Sequence, residues 1–187
     1  MIRTIVVVLF LIGLGYAATL GPVAAARAKA EVSDGTQPVA VGADFTVVPA
    51  QGWLSEPLVH DVLKLPILPD LHSWAVYFGN QTGMLLRSPD RLLTVEIDTH
   101  GAGAAPEAEV LLRDRAAEIL GAGTDQPAVR TEALVSGTTI WHMDAASSLL
   151  AVIECDGDLV SVAAERTDGE PIDVYRPAIG QLIATIE

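Results

Sequence analysis

One cysteine, Cys155, occurs in 187 residues. A disulfide framework is therefore excluded, and stability must come from a packed core. The lone thiol reads as a small buried hydrophobe; the sharper alternative is a free thiol pairing with another chain. No cysteine lies near the end of the N-terminal apolar run, which excludes lipid anchoring through a modified cysteine. Basic residues are also scarce, 11 Lys and Arg against 24 Asp and Glu. Residues 1–30 hold Arg3, Arg27 and Lys29 and no acid, so the remaining body has eight basic residues against all 24 acids, a net charge of −16. Such a surface repels phosphate backbones and anionic head groups. Neither nucleic-acid binding nor an electrostatic grip on anionic lipid is expected; solubility is the plainest use of this acidity.

Catalytic motifs are missing too. The chain contains no G-x-S-x-G and no S-x-x-K. The glycines of GAGAAPE, Gly101 to Glu107, precede a helix but match neither a phosphate loop nor the dinucleotide fingerprint. A loop leading into a helix accounts for them, and no cofactor is implied. The four histidines, His60, His72, His100 and His142, are scattered. In TIWHMD, Ile140, His142 and Asp144 share one strand face, and Trp141 and Met143 take the other. His142 and Asp144 are candidate metal ligands, half of a copper or zinc site; the plainer alternative is a hydrogen-bonded histidine on a sheet face. Asp156-Gly157-Asp158 lacks the later ligands of a calcium loop and reads as a turn.

What is present begins with TIVVVLFLIGLGYAATLGPVAAA, Thr4 to Ala26, which carries no charge. It is long enough to cross a bilayer as a helix. It is also built like a secretory signal, with Arg3 before it and small-x-small patterns at Ala26-Arg27-Ala28 and Ala28-Lys29-Ala30. Both readings stand, a cleaved signal or an uncleaved anchor that holds the chain in the membrane. Basic residues flank the run on both sides and leave its orientation unspecified. Because the segment is N-terminal and ends like a signal, the body is expected outside the cytoplasm, secreted or membrane-anchored. The organisation expected is residues 1–30 as signal or anchor, 31–43 as a flexible tether rich in Gly and Pro, and 44–187 as one domain.

Within the body, Phe45 to Val47 alternates as a short strand that Pro49 stops. Gly52 permits a turn, and Trp53 returns a large ring to the core. Pro57, Pro66 and Pro69 break any long helix between Leu54 and Ser73. WAVYFG, Trp74 to Gly79, is rich in strand formers. Met84–Arg87 and Leu92–Thr99 form a hairpin through Ser88-Pro89-Asp90-Arg91, with Thr94, Glu96 and Asp98 on its wet face. Pro106 to Leu120 reads as a helix with Ala108, Leu112, Ala116 and Ile119 on one stripe. Four strands follow as a meander, Val129–Val135, Thr138–Asp144, Leu149–Cys155 and Asp158–Glu165, the last two joined by an Asp156-Gly157 turn. A final helix is expected over roughly Ile172 to Ile186, with Pro177 near its first turn; a start only at Arg176 or Pro177 keeps the same apolar face, shortened. The pattern predicts an α+β fold, an antiparallel sheet with a four-strand C-terminal meander and two amphipathic helices, preceded by an N-terminal hydrophobic helix.

Phe45-Thr46-Val47-Val48-Pro49 followed by Gly52-Trp53 resembles the opening strand of the PsbP-like family. That family includes an extrinsic photosystem II subunit, a nuclear Ran-binding relative and many secreted or lipid-anchored proteins of actinobacteria. The resemblance spans Asp44 to Glu187 and implies an α-β-α sandwich. It carries no catalytic motif to transfer, and this chain lacks the lipidated cysteine of the actinobacterial lipoproteins. The resulting expectation is a non-enzymatic accessory domain outside the cytoplasm that docks on a cell-envelope protein partner. A small-ligand or metal-binding module of the envelope is the alternative. Trp53 and Trp74 are candidate interaction residues, although a core position is the plainer reading of each.

Overall fold

The computed structural model describes residues 21, 24–25, 27–59, 71–79, 81–103, 105–121, 126–133 and 138–187. Most of the expected signal or anchor lies outside these residues, as do the Ser136-Gly137 turn and His60. Among the described residues no helix is long and apolar enough to cross a membrane.

The fold is α+β. Eight antiparallel strands form one sheet: β1 (Glu31–Val32), β4 (Leu54–Leu58), β5 (Gly83–Arg87), β6 (Leu93–Ala102), β7 (Arg130–Ala133), β8 (Thr139–Asp144), β9 (Ser148–Cys155) and β10 (Asp158–Arg166). Their spatial order is β1-β4-β5-β6-β10-β9-β8-β7. The C-terminal meander therefore doubles back, and β10 closes against β6, pairing Val162 with Ile97. Asp156 and Gly157 both take positive φ, 52° and 89°, as a tight hairpin turn requires. A separate hairpin, β2 (Val39–Val41) with β3 (Phe45–Val47), lies outside the main sheet.

Helices cover both faces. Alternation along β8, β9 and β10 sends odd and even residues to opposite sides. On one side α2 (Ala105–Leu120) buries Ala108, Leu112 and Ala116 against Trp141, Met143 and Val152. On the other side a 3₁₀ turn (Ile172–Tyr175) and α3 (Arg176–Ile183) bury Ile172, Ile179 and Leu182 against Leu93, Val95 and Ile153. Pro177 falls in the first turn of α3, where its missing N–H costs no intrahelical bond. The β2–β3 hairpin extends this second core with Val41, Phe45 and Val47.

Three expectations change. The tether assigned to residues 31–43 is folded into the body: β1 pairs with β4, and β2 pairs with β3. Val41 is fully buried, and Ser33 Oγ donates to the Pro49 carbonyl at 2.7 Å. The polar residues between these strands make their own turn, with Asp34 Oδ1 accepting the Thr36 and Gln37 amides at 2.8 and 3.1 Å. WAVYFG is no strand; residues Leu71–Tyr77 form a short helix, α1. Strand propensity describes a fit to a pleated half-buried surface, and here Ser73 and Val76 are buried at helical spacing instead. On the hairpin face expected to be wet, Asp98 is fully buried and accepts from Thr82 Oγ1 at 3.1 Å.

Candidate functional site

The polar constellation that the sequence singled out comes together, and its Asp144 is engaged by arginine. His142 and Asp144 lie on the same face of β8, and His142 Nδ1 is 3.3 Å from Asp144 Oδ2. β7 brings Glu132 Oε1 to 3.5 Å from His142 Nε2, and Arg130 to 3.9 Å from Asp144 Oδ2. Arg176, at the start of α3, donates to Asp144 Oδ1 and, through Nε, to Asp173 Oδ1 at 2.9 Å. Bonding to Asp144 first, and to Asp173 next, holds the Arg176 guanidinium above its ordinary value. An Asp144 carboxylate shared between two arginines is a poor metal ligand, because a divalent cation would have to displace them. Among the described residues no three His, Cys, Asp or Glu side chains gather in a metal-holding group. Arg176 clips α3 to β8 through Asp144, while His142 Nε2 is buried without a hydrogen-bond partner among the described residues. Sequence reasoning missed Arg176, which lies 32 positions from Asp144.

Two other titratable candidates lie among the described residues, His100 and Cys155. His100 Nε2 is 2.9 Å from Ser161 Oγ across the β6–β10 pair. Cys155 is half-buried, and burial, with Asp156 and Glu154 beside it, pushes its thiol above the usual range. That shift disfavours the nucleophilic thiolate.

Of the two tryptophans proposed for interaction, Trp53 belongs to the core. It is 5 % exposed, packed among Val41, Phe45 and Leu86. Its position follows from the turn before it: Gly52 takes φ +83°, and Trp53 N donates to the Ala50 carbonyl at 3.2 Å. Trp74 has a different setting. In α1 it stacks on Phe78 at 5.5 Å between ring centroids and meets Tyr77 edge-on at 5.9 Å. Tyr77 and Phe78 are 54 % and 69 % exposed, while Val76 behind them is fully buried. Their i, i+3 and i+4 spacing from Trp74 is the signal that marks one helical face. Lys29 Nζ donates to the Val76 carbonyl at 2.8 Å, fastening the chain just after the apolar N-terminal run to α1.

Two further surfaces stand out. At one edge of the sheet all four residues of β7 are exposed, and among the described residues no strand pairs with its outer side. Near the opposite edge, an open groove of about 630 Å³ is lined by Val32, Leu54, Arg87, Arg91 and Thr167 among others. Arg87 there is neutralised by Glu56 at 2.6 Å.

No family model and no curated protein matches the chain. Among solved structures it is similar to the solution structure of cyanobacterial PsbP (CyanoP) from Synechocystis sp. PCC 6803. The two are 8 % identical, the match covers 76 % of this chain and 85 % of that one, and the TM-score is 0.48. The likeness concerns the fold alone.

Proposed function

We propose that the body is a non-enzymatic accessory domain held outside the cytoplasm, of the secreted or membrane-anchored type, and that it docks on a protein of the cell envelope. The exposed β7 edge carries this reading. Its outward backbone N–H and C=O groups offer a template for an extended segment of a partner. Edge strands that must stay solitary are kept very short, charged, or blunted by proline, a bulge or a covering loop; β7 is short and carries Arg130 and Glu132, but both of these charges are turned toward the His142–Asp144 group on β8. Arg130–Ala133 contains no proline and pairs with β8 without a register shift. The uncharged run from Thr4 to Ala26 supports the extracytoplasmic placement. The surplus acidity favours a partner surface that is neutral or basic.

A photo-crosslinking side chain introduced at Thr131 of the full chain, in the native host, tests the docking. A second chain carries the same group at Asp114 on the exposed side of α2. A discrete adduct from position 131 and none from 114 is expected. Equal labelling from both positions, or none from 131, refutes the assignment of β7.

A further inference from the structure

The aromatic face of α1 has no occupant among the described residues, and its chemistry narrows what it fits. Trp74, Tyr77 and Phe78 form one contiguous ring cluster, with centroid separations of 5.3 to 5.9 Å. Neither end of α1 carries a charged residue. Trp and Tyr combine an apolar body with a polar tip and concentrate where hydrocarbon meets water. The position of the cluster matters as much as its composition. The uncharged run ends at Ala26, and Lys29 is bonded to the last turn of α1. Three residues of chain span at most about 10 Å. A bilayer's headgroup layer is roughly 5–8 Å deep on each side. Wherever residues 4–26 leave the hydrocarbon, α1 is held within reach of the interface, and a short tether makes that contact effectively intramolecular.

From this we propose that the α1 aromatic face is a membrane-contact surface that seats in the headgroup region of a lipid bilayer. Burial of rings, not charge, drives the contact, since the acidic body gains nothing from anionic lipid. The contact orients the sheet. α1 packs near β4, the neighbour of β1, and β7 is the far edge. Seven strand spacings place β7 about 33 Å from the β1 edge. The membrane-side and partner-side surfaces are thereby separated. The proposal rests on the N-terminal run acting as a membrane anchor and is independent of β7.

The test uses the full chain reconstituted into phosphatidylcholine vesicles containing lipid brominated near the headgroup. Trp53 and Trp141 are 5 % and 7 % exposed, which leaves Trp74 as the tryptophan within reach of a quencher. The expected result is flotation with the vesicles and quenching of tryptophan emission by the brominated lipid. That quenched component should be lost in Trp74→Phe. It should be weaker in Tyr77→Ser/Phe78→Ser, which keeps the reporter, and insensitive to salt. A chain that floats but whose Trp74 is quenched by aqueous acrylamide and not by the lipid overturns the α1 proposal and leaves the anchor intact. Shielding of Trp74 from both quenchers in an oligomer assigns the face to a second copy and also overturns it. Failure to float overturns the anchor and the proposal together.

Discussion

Arg115 sets up an asymmetry that measurement can resolve. On α2 its side chain is only 7 % exposed, yet its partners Glu96 on β6 and Glu118 on the same helix are 42 % and 62 % exposed, at 2.8 and 2.7 Å. Burial works against the guanidinium charge, and bonding to Glu96 together with Glu118 overcomes it, so its value stands above the ordinary one. Removing the cation and removing the anions therefore have unequal costs. In Arg115→Met the apolar stem is replaced, and both carboxylates turn to water that already reaches them. The expected change is within about 1 kcal/mol in either direction. Glu96→Ala leaves a buried charge with one partner fewer and should cost about 1–3 kcal/mol. Glu96→Ala/Glu118→Ala strips it of both and should approach about 3–5 kcal/mol, the range for an uncompensated buried charge. Urea unfolding of the full chain reads this directly. With a slope near 2 kcal/mol per molar, the double variant's midpoint should fall by about 2 M. A double variant as stable as wild type, or an Arg115→Met variant worse than it, would show that the guanidinium is hydrated and that the α2–β6 contact is not as described.

Other outcomes follow from single sites. An added Cβ at Gly83 would lie 2.2 Å from the Ile97 carbonyl oxygen and 2.6 Å from Asp98 Oδ1. Gly83→Ala should therefore destabilise by about 1–3 kcal/mol or more by prising β5 from β6, and an unchanged melting temperature contradicts that register. Bonds from Ser88, then from Tyr175 and the Leu92 amide, hold Asp90 below its ordinary value of 3.8. A depressed carboxylate stabilises fully above its unfolded value and loses that contribution as pH falls through the lower folded one. The melting difference between wild type and Asp90→Asn should be constant from neutral pH to about 5 and shrink below about 4; growth of the difference on acidification reverses the argument. Zinc or copper(II) should leave the melting temperature of the wild-type chain unchanged, because Asp144 is held by arginines. A rise that disappears in His142→Ala restores a metal site there, since a ligand of the native state must stabilise it.

Legibility in the sequence followed the range of the interaction. α2 was readable because Ala108, Leu112 and Ala116 repeat at its period, and the β9–β10 turn because Asp156-Gly157 suits two positive-φ positions. The shared face of His142 and Asp144 follows from alternation alone. Their use does not: Arg176 and Glu132 arrive from other elements, and nothing in TIWHMD anticipates them. WAVYFG misled because its residues favour strands wherever a sheet surface is available, and here Ser73 and Val76 found a helical contact instead. The 31–43 stretch misled because its Gly and Pro mark turns as well as tethers. Val39 and Val41 pair with Val47 and Phe45, and the core that buries them is built from distant strands and α3.

By itself the sequence determined an acidic body behind an uncharged N-terminal run, an antiparallel sheet with two amphipathic helices, and no recognised catalytic motif. These properties depend on composition and short-period patterning, which act locally along the chain. Tertiary structure alone decided that β10 returns to β6, that Tyr77 and Phe78 face outward, and that Asp144 belongs to Arg176. Each of those outcomes depends on residues tens of positions apart competing for the same neighbour, and the winner is set by the packing of the whole sheet.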